Sequence, residues 1–201
     1  MIRVLFFSPF WKIVPRAYRS WFKIEKEGVK LDYFLAYWQP FGEDKPNENI
    51  AYKMNVGREM ALKGGYDFLF NVDSDIILQK DALKLLLEDK QKVVSGIYRL
   101  RPSNAGGKPW AFIVLDRAED GHTFSRPFDL EKDGKENPLV RLYQFGTGCC
   151  LISREILEKI NFRPAPDTQF SVDLREMGIP FYADVRVKCV HIDITGEEIK
   201  P

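Results

Sequence analysis

The stretch Asp67-Phe68-Leu69-Phe70-Asn71-Val72-Asp73-Ser74-Asp75-Ile76-Ile77 constrains the fold more than any other. A short run of aromatic and branched residues ends in two aspartates one residue apart, and apolar residues resume at once. The run has the length and composition of a buried strand. A buried strand that stops at two carboxylates delivers both to the carboxyl edge of a sheet, where open α/β sheets keep their ligand crevice. Two like charges this close repel each other and resist burial unless a cation lies between them. A divalent metal carrying an anionic ligand meets that demand, so Asp73 and Asp75 are the first candidate ligands. The plainer alternative is a turn in which Asp73 accepts backbone bonds and Asp75 faces water.

Around this strand, strand and helix patterns alternate, which predicts an α/β fold in one domain. Strands are expected at 2–8, 30–38, 66–72, 93–98 and 110–115, with one or two more over 139–152 and a final pair over 180–190 ending at His191. Helices are expected from Pro15 to Lys26 (Tyr18, Trp21 and Phe22 on one side, Gly28 as C-cap), over 49–63, over 80–90 with Leu83, Leu86 and Leu87 inward, over 153–160 and over 167–177. Residues 39–48 and most of 99–138 read as loops, and loops that long are usually functional. Residues 193–201 are expected as a C-terminal tail, frayed from Thr195 to Pro201.

Lys plus Arg number 30 and Asp plus Glu 29, a net charge of +1, so no global field draws in nucleic acid. No apolar run approaches the roughly 20 residues of a membrane span. The opening Met1–Pro9 is too short and wrongly flanked for a signal peptide and reads as the first strand. Cys149, Cys150 and Cys189 lack zinc spacing and read as small buried residues, which suits a cytoplasmic, reducing location.

Further residues have chemistry to offer. His191, at a strand end, has an imidazole able to complete a metal shell, which favours Mn²⁺ over Mg²⁺; the alternative is a satisfied structural histidine. Asp167 opens a helix, as an N-cap, as a general base, or as both. Asp173 is the rival base, expected to face solvent. Gly146-Thr147-Gly148 lets backbone approach a ligand and offers a hydroxyl, or else marks a bend between strands. Asn55 and Arg58 lie on the helix before the aspartate strand, within reach of a nucleotide or phosphate if that face is not simply solvated. Arg99 and Arg101 are candidate pyrophosphate contacts, and His122 reads as a turn residue. Trp11-Lys12-Ile13 and Arg16–Trp21 look exposed, suited to a membrane surface or a partner.

Three segments together resemble the GT-A glycosyltransferases, in particular the inverting, family-2-like group in its minimal soluble form, of the kind carried by archaea and their viruses. They are Asn55–Asp75, Phe145–Ile152 and Asp167–His191; with the first strand the resemblance spans most of 1–192. It implies a single Rossmann-like GT-A domain over 1–192, with a mixed, mostly parallel sheet flanked by helices. It implies a metal-dependent transferase that moves a sugar from a UDP- or GDP-linked donor to a glycan, lipid or protein hydroxyl. In that role Asp73, Asp75 and His191 hold Mn²⁺ or Mg²⁺, Asp167 is the base, and Pro9 borders the nucleotide, with Asn55, Arg58 and the 146–148 segment as further donor contacts. Met54 stands where the family usually has arginine, and Pro166 where it has an acid before the base. Two other classes stay open: a sugar-phosphate nucleotidylyltransferase, whose Gly-rich phosphate loop is missing after the first strand, and a non-catalytic nucleotide- or glycan-binding module.

Overall fold

The computed structural model describes residues 1–10, 12, 14–100, 110–118, 122–135, 137–193 and 195–201. Its centre is a seven-stranded sheet built from β1 (Ile2–Pro9), β2 (Val29–Ala36), β3 (Phe68–Val72), β5 (Val93–Ile97), β8 (Leu139–Arg141), β10 (Cys149–Ser153) and β11 (Tyr182–Lys188), in the order β2-β1-β3-β10-β5-β11-β8. Five strands run parallel; β10 and β8 run against them. This is the mixed, mostly parallel α/β sheet expected from the alternating pattern.

The helices cover both faces because β1 is apolar on both. Phe6 points to Trp21 of α1 (Pro15–Trp21), ring centroids 5.3 Å apart. Phe7, on the opposite face, lies under α2 (Pro46–Lys63), where a side chain on Gly57 would come within 2.7 Å of the Phe7 ring. Glycine at 57 is therefore a packing requirement. The other helices are α3 (Ala82–Glu88), α4 (Leu130–Asp133), α5 (Arg154–Leu157) and α6 (Pro166–Glu176). A three-stranded sheet joins β4 (Ile76–Ile77), β12 (Val190–Ile192) and β13 (Glu198–Ile199), and another joins β6 (Phe112–Arg117), β7 (Thr123–Pro127) and β9 (Gln144–Phe145).

Several expectations need correction. Helix α1 stops at Trp21, so Gly28, at φ 72°, turns the chain into β2 and caps nothing. Trp21 is 1% exposed and donates its indole N–H to the Ile76 carbonyl, so it is core and not a contact surface. Trp11 and Ile13 of the same expectation lie outside the described residues. In α3 the inward set is Ala82, Leu83 and Leu86, with Leu87 half-buried. The region read as loops around one strand contains a hairpin, β6–β7, and the helical turn α4. Strand β7 is mostly exposed and carries little apolar signal; Arg126 holds the unit together by pairing with both Asp116 and Asp133. The tail is not frayed: β13 pairs with β12, Ile199 is fully buried, and Glu198 pairs with Arg16 at 2.5 Å. All three cysteines are buried free thiols. Among the described residues no helix is long and apolar enough to cross a membrane.

Candidate functional site

The site grows from the end of β3. Strand β3 lies between β1 and β10, so Asn71 sits beside Phe7 on one side and Cys150 on the other. Asn71 is fully buried and donates its side-chain amide to the Thr147 carbonyl at 2.7 Å, which ties the strand end to the 146–148 segment. The Asp73 amide donates to the Gly148 carbonyl at 2.9 Å, and the Ile76 amide to the Asp73 carbonyl at 3.1 Å, closing a tight turn. Strand β4 then pairs with β12, setting Ile76 opposite His191.

That pairing brings His191 Nε2 to 3.3 Å from Asp75 Oδ2. The other ring nitrogen, Nδ1, lies 2.9 Å from the Arg99 carbonyl. A carbonyl only accepts, so Nδ1 carries the hydrogen. In the neutral ring, Nε2 then presents a lone pair toward a carboxylate oxygen. A proton or a cation reconciles the two.

Asp167 arrives on α6. It is not the N-cap: that residue is Ala165, held in the left-handed region at φ 57°, with Pro166 following and no side-chain cap bond. Asp167 Oδ1 accepts from the Thr147 amide at 2.9 Å and from the Thr147 hydroxyl at 2.6 Å. Its Oδ2 makes no hydrogen bond within the described residues. Asp173, the rival base, pairs with Arg163, is partly buried, and lies off the cavity.

The flanking glycines serve the protein itself. A side chain at Gly146 would meet the Tyr98 hydroxyl at 2.2 Å, and one at Gly148 would meet it at 2.8 Å and Asp73 Oδ2 at 2.9 Å. Tyr98 accepts the Gly148 amide at 3.0 Å. Thr147 faces the cavity; Gly146 and Gly148 do not line it, and their close neighbours are Tyr98 and Asp73 rather than ligand space.

These residues border a cavity of about 730 Å³, a size suited to a nucleotide-scale ligand. Asp73, Asp75, Asp167 and Asp193 line its acidic side; Pro9, Lys12, Ile50 and Lys53 line the rest with Pro46 and Asn49. Burial, with the neighbouring charges of Asp75 and Asp167, pushes the Asp73 carboxyl up to about 8. That is the signature of a carboxyl crowded by like charges in a buried place.

Asp73, Asp75, His191, Asp167, Thr147 and Pro9 thus converge on one sheet edge. Asn55 and Arg58 do not. Asn55 exchanges two hydrogen bonds with the backbone of Phe162, and Arg58 donates to the Leu157 carbonyl at 2.6 Å. Both face α5 and the chain after it, so their nucleotide roles are withdrawn. Met54 is fully buried core. Arg99 stacks on Trp110 at 4.3 Å, Arg101 lies outside the described residues, and His122 sits at the turn between β6 and β7. Sequence reasoning missed Asp193, Tyr98 and Lys53. For Lys53 a signal existed: Pro46, Asn49, Ile50 and Lys53 fall at i, i+3, i+4 and i+7, one face of α2.

Asp73, Asp75 and His191 are chemically apt for a hard or borderline cation, with oxygen and imidazole donors. They share an edge without closing: among the described residues no three His, Cys, Asp or Glu side chains form a group that holds a metal as it stands.

Neither protein-family models nor curated proteins match the sequence. Solved structures do. The chain is similar to A197 from STIV at 18% identity and TM-score 0.60, over 100% of this chain and 94% of that one. It also aligns with HddC from Yersinia pseudotuberculosis at 14% identity and TM-score 0.45, over 96% and 94% of the two chains. The first supports the fold; the second is too distant to add to it.

Proposed function

We propose that this chain is a metal-dependent glycosyltransferase that moves a sugar from a UDP- or GDP-linked donor to an acceptor hydroxyl with inversion. The supporting observation is the convergence of Asp73, Asp75 and Asp167 on one cavity, with His191 Nε2 3.3 Å from the Asp75 carboxylate. Asp73, Asp75 and His191 are the residues to hold Mn²⁺ or Mg²⁺, and the ion would supply Lewis-acid neutralisation of the charge that develops on the departing diphosphate.

The protein's own part is positioning and proton transfer. Thr147 fixes one oxygen of Asp167 with two donors, leaving Oδ2 turned to accept the proton of the incoming hydroxyl. As that proton passes to Asp167, the hydroxyl oxygen bonds to the anomeric carbon from the face opposite the leaving group. The bond between that carbon and the phosphate oxygen breaks, and its electron pair leaves with the diphosphate. Burial of Thr147 keeps bulk water from competing for the Asp167 oxygen it holds.

The test is release of nucleoside diphosphate from a panel of UDP- and GDP-sugars with Mn²⁺ or Mg²⁺, with and without acceptors. Asp75→Ala is expected to abolish metal-dependent turnover. Asp167→Asn is expected to bind nucleoside diphosphate normally while transfer falls by about 10²- to 10⁴-fold, the usual weight of a general base. Wild-type transfer rates in Asp167→Asn would place the base elsewhere, and a panel in which no donor is split would remove the proposal.

A further inference from the structure

Lys53 is 2% exposed and lines the cavity. Its ammonium has three hydrogens to give. One goes to the Phe10 carbonyl at 2.9 Å, and Lys53 makes no ion pair within the described residues. A buried ammonium satisfied by one neutral carbonyl is costly unless an anion joins it. Burial accordingly holds its pKa below the ordinary lysine value.

A second feature of α2 faces the same cavity. The N-cap Lys45 supplies no side-chain cap bond to this helix, and Pro46 has no N–H to satisfy. The amides of Asn47 and Glu48 therefore end the helix uncapped, with the positive end of its dipole beside the cavity that Pro46 and Asn47 line. The Glu48 carboxylate answers part of that dipole from the same turn. Of the two lysines that line the cavity, Lys12 is exposed and Lys53 is the buried one.

Position then links the lysine to the acids: Lys53 lines the same cavity as Asp73, Ser74 and Asp75. The cavity offers a cation from α2 and metal-ready acids from the turn after β3, an arrangement matched to a ligand with several anionic oxygens.

We propose that Lys53, backed by the uncapped first turn of α2, is a metal-independent binding residue for a phosphoryl oxygen of the nucleoside diphosphate. This rests on the reading of the cavity as a nucleotide-sugar site. It divides the diphosphate between two supports: Lys53 for one oxygen, the acid cluster and its cation for others.

Isothermal titration of the full chain in EDTA tests it, with inorganic diphosphate, UDP, GDP, uridine and guanosine as the probes. Wild-type protein is expected to bind the diphosphate-bearing ligands without metal. Lys53→Met, which keeps the stem and removes the charge, is expected to weaken them by roughly tenfold or more, as for loss of a charge-assisted hydrogen bond. It should leave the nucleosides within about twofold, and Lys53→Arg should recover most of the loss. Circular dichroism and a thermal melt check that Lys53→Met is folded; if it is not, Lys53→Gln is the neutral variant. Unchanged diphosphate affinity in the neutral variant overturns the proposal, as does an equal loss for nucleosides, which would make Lys53 a base contact. So does a wild-type protein that binds none of the anions without metal. If inorganic diphosphate depends on Lys53 but UDP and GDP bind no more tightly than it does, the anion site stands and the nucleotide reading fails.

Discussion

Two clusters of crowded aspartates in this molecule meet the same electrostatic problem in different ways. At the far side of the sheet, Asp184 on β11 is fully buried and Asp89, just past α3, is nearly so. Arg186 lies between them, with Nε and Nη2 within 2.8–3.1 Å of Asp184 and Nη2 at 2.7 Å from Asp89. At the cavity, Asp73 and Asp167 make no ion pair with lysine or arginine among the described residues, and Asp73 is driven up to about 8. One cluster carries its counter-charge on the same strand. The other shows no such counter-charge on Asp73 or Asp167 among the described residues. Acid crowding by itself therefore does not mark a site; crowding that raises a carboxyl beside a cavity does.

Opposite substitutions should pull the two clusters apart. Arg186→Met is expected to destabilise the protein by about 3 kcal/mol, the lower range for breaking a buried pair, because it strands Asp184 while Arg186 itself is partly exposed. Asp73→Asn is expected to do the reverse in EDTA. It replaces an acid whose carboxyl the fold drives up to about 8 with a neutral amide, and because Asp73 is partly solvent-exposed the gain is on the order of 1–2 kcal/mol. Denaturant unfolding of both variants measures the contrast. A destabilised Asp73→Asn would mean that the cavity acids are balanced within the protein, and the comparison would break.

The central strands were legible because their apolar runs admit no other reading, and the aspartate turn followed from them. Asp73, Asp75, Asp167, His191, Thr147 and Pro9 lie near one another because each sits at or close to the end of an element, and these ends meet at one edge of the sheet. Asn55 and Arg58 were misread because helix position does not say which face meets a ligand. On α2 the cavity face is that of Pro46, Asn49, Ile50 and Lys53, and residue 55 points about 200° away from residue 53 around the helix. Lys53 escaped notice because lysines are rarely buried. Strand β13 escaped because two residues, Glu198 and Ile199, give no periodicity, and only the pairing with β12 makes them a strand. Asp193 was lost with it, since the turn that brings Asp193 to the cavity exists only once the tail folds back.

The smallest expected effect sharpens the compensated cluster. Burial first, and then the Asp184 charge, raise the Asp89 carboxyl to about 7, despite Arg186. Asp89 Oδ2 has no hydrogen-bond partner among the described residues, and a protonated Oδ2 beside Asp184 is what that environment favours. For an acid whose folded pKa is raised, the folded state binds the proton more tightly than the unfolded chain does. Its stabilising contribution is complete below about pH 4 and is lost as pH rises through about 7. Stability measured by urea unfolding should therefore decline by on the order of 1 kcal/mol between pH 5 and 7.5 on account of this group, the figure being reduced by solvent screening at a residue that is not fully buried. Asp89→Asn, which puts a permanent donor where the proton sits, should flatten that decline without moving the pH dependence that Asp73 contributes. An unchanged slope in Asp89→Asn would show that Arg186 compensates both acids fully, and the two clusters would then differ by more than the present geometry implies.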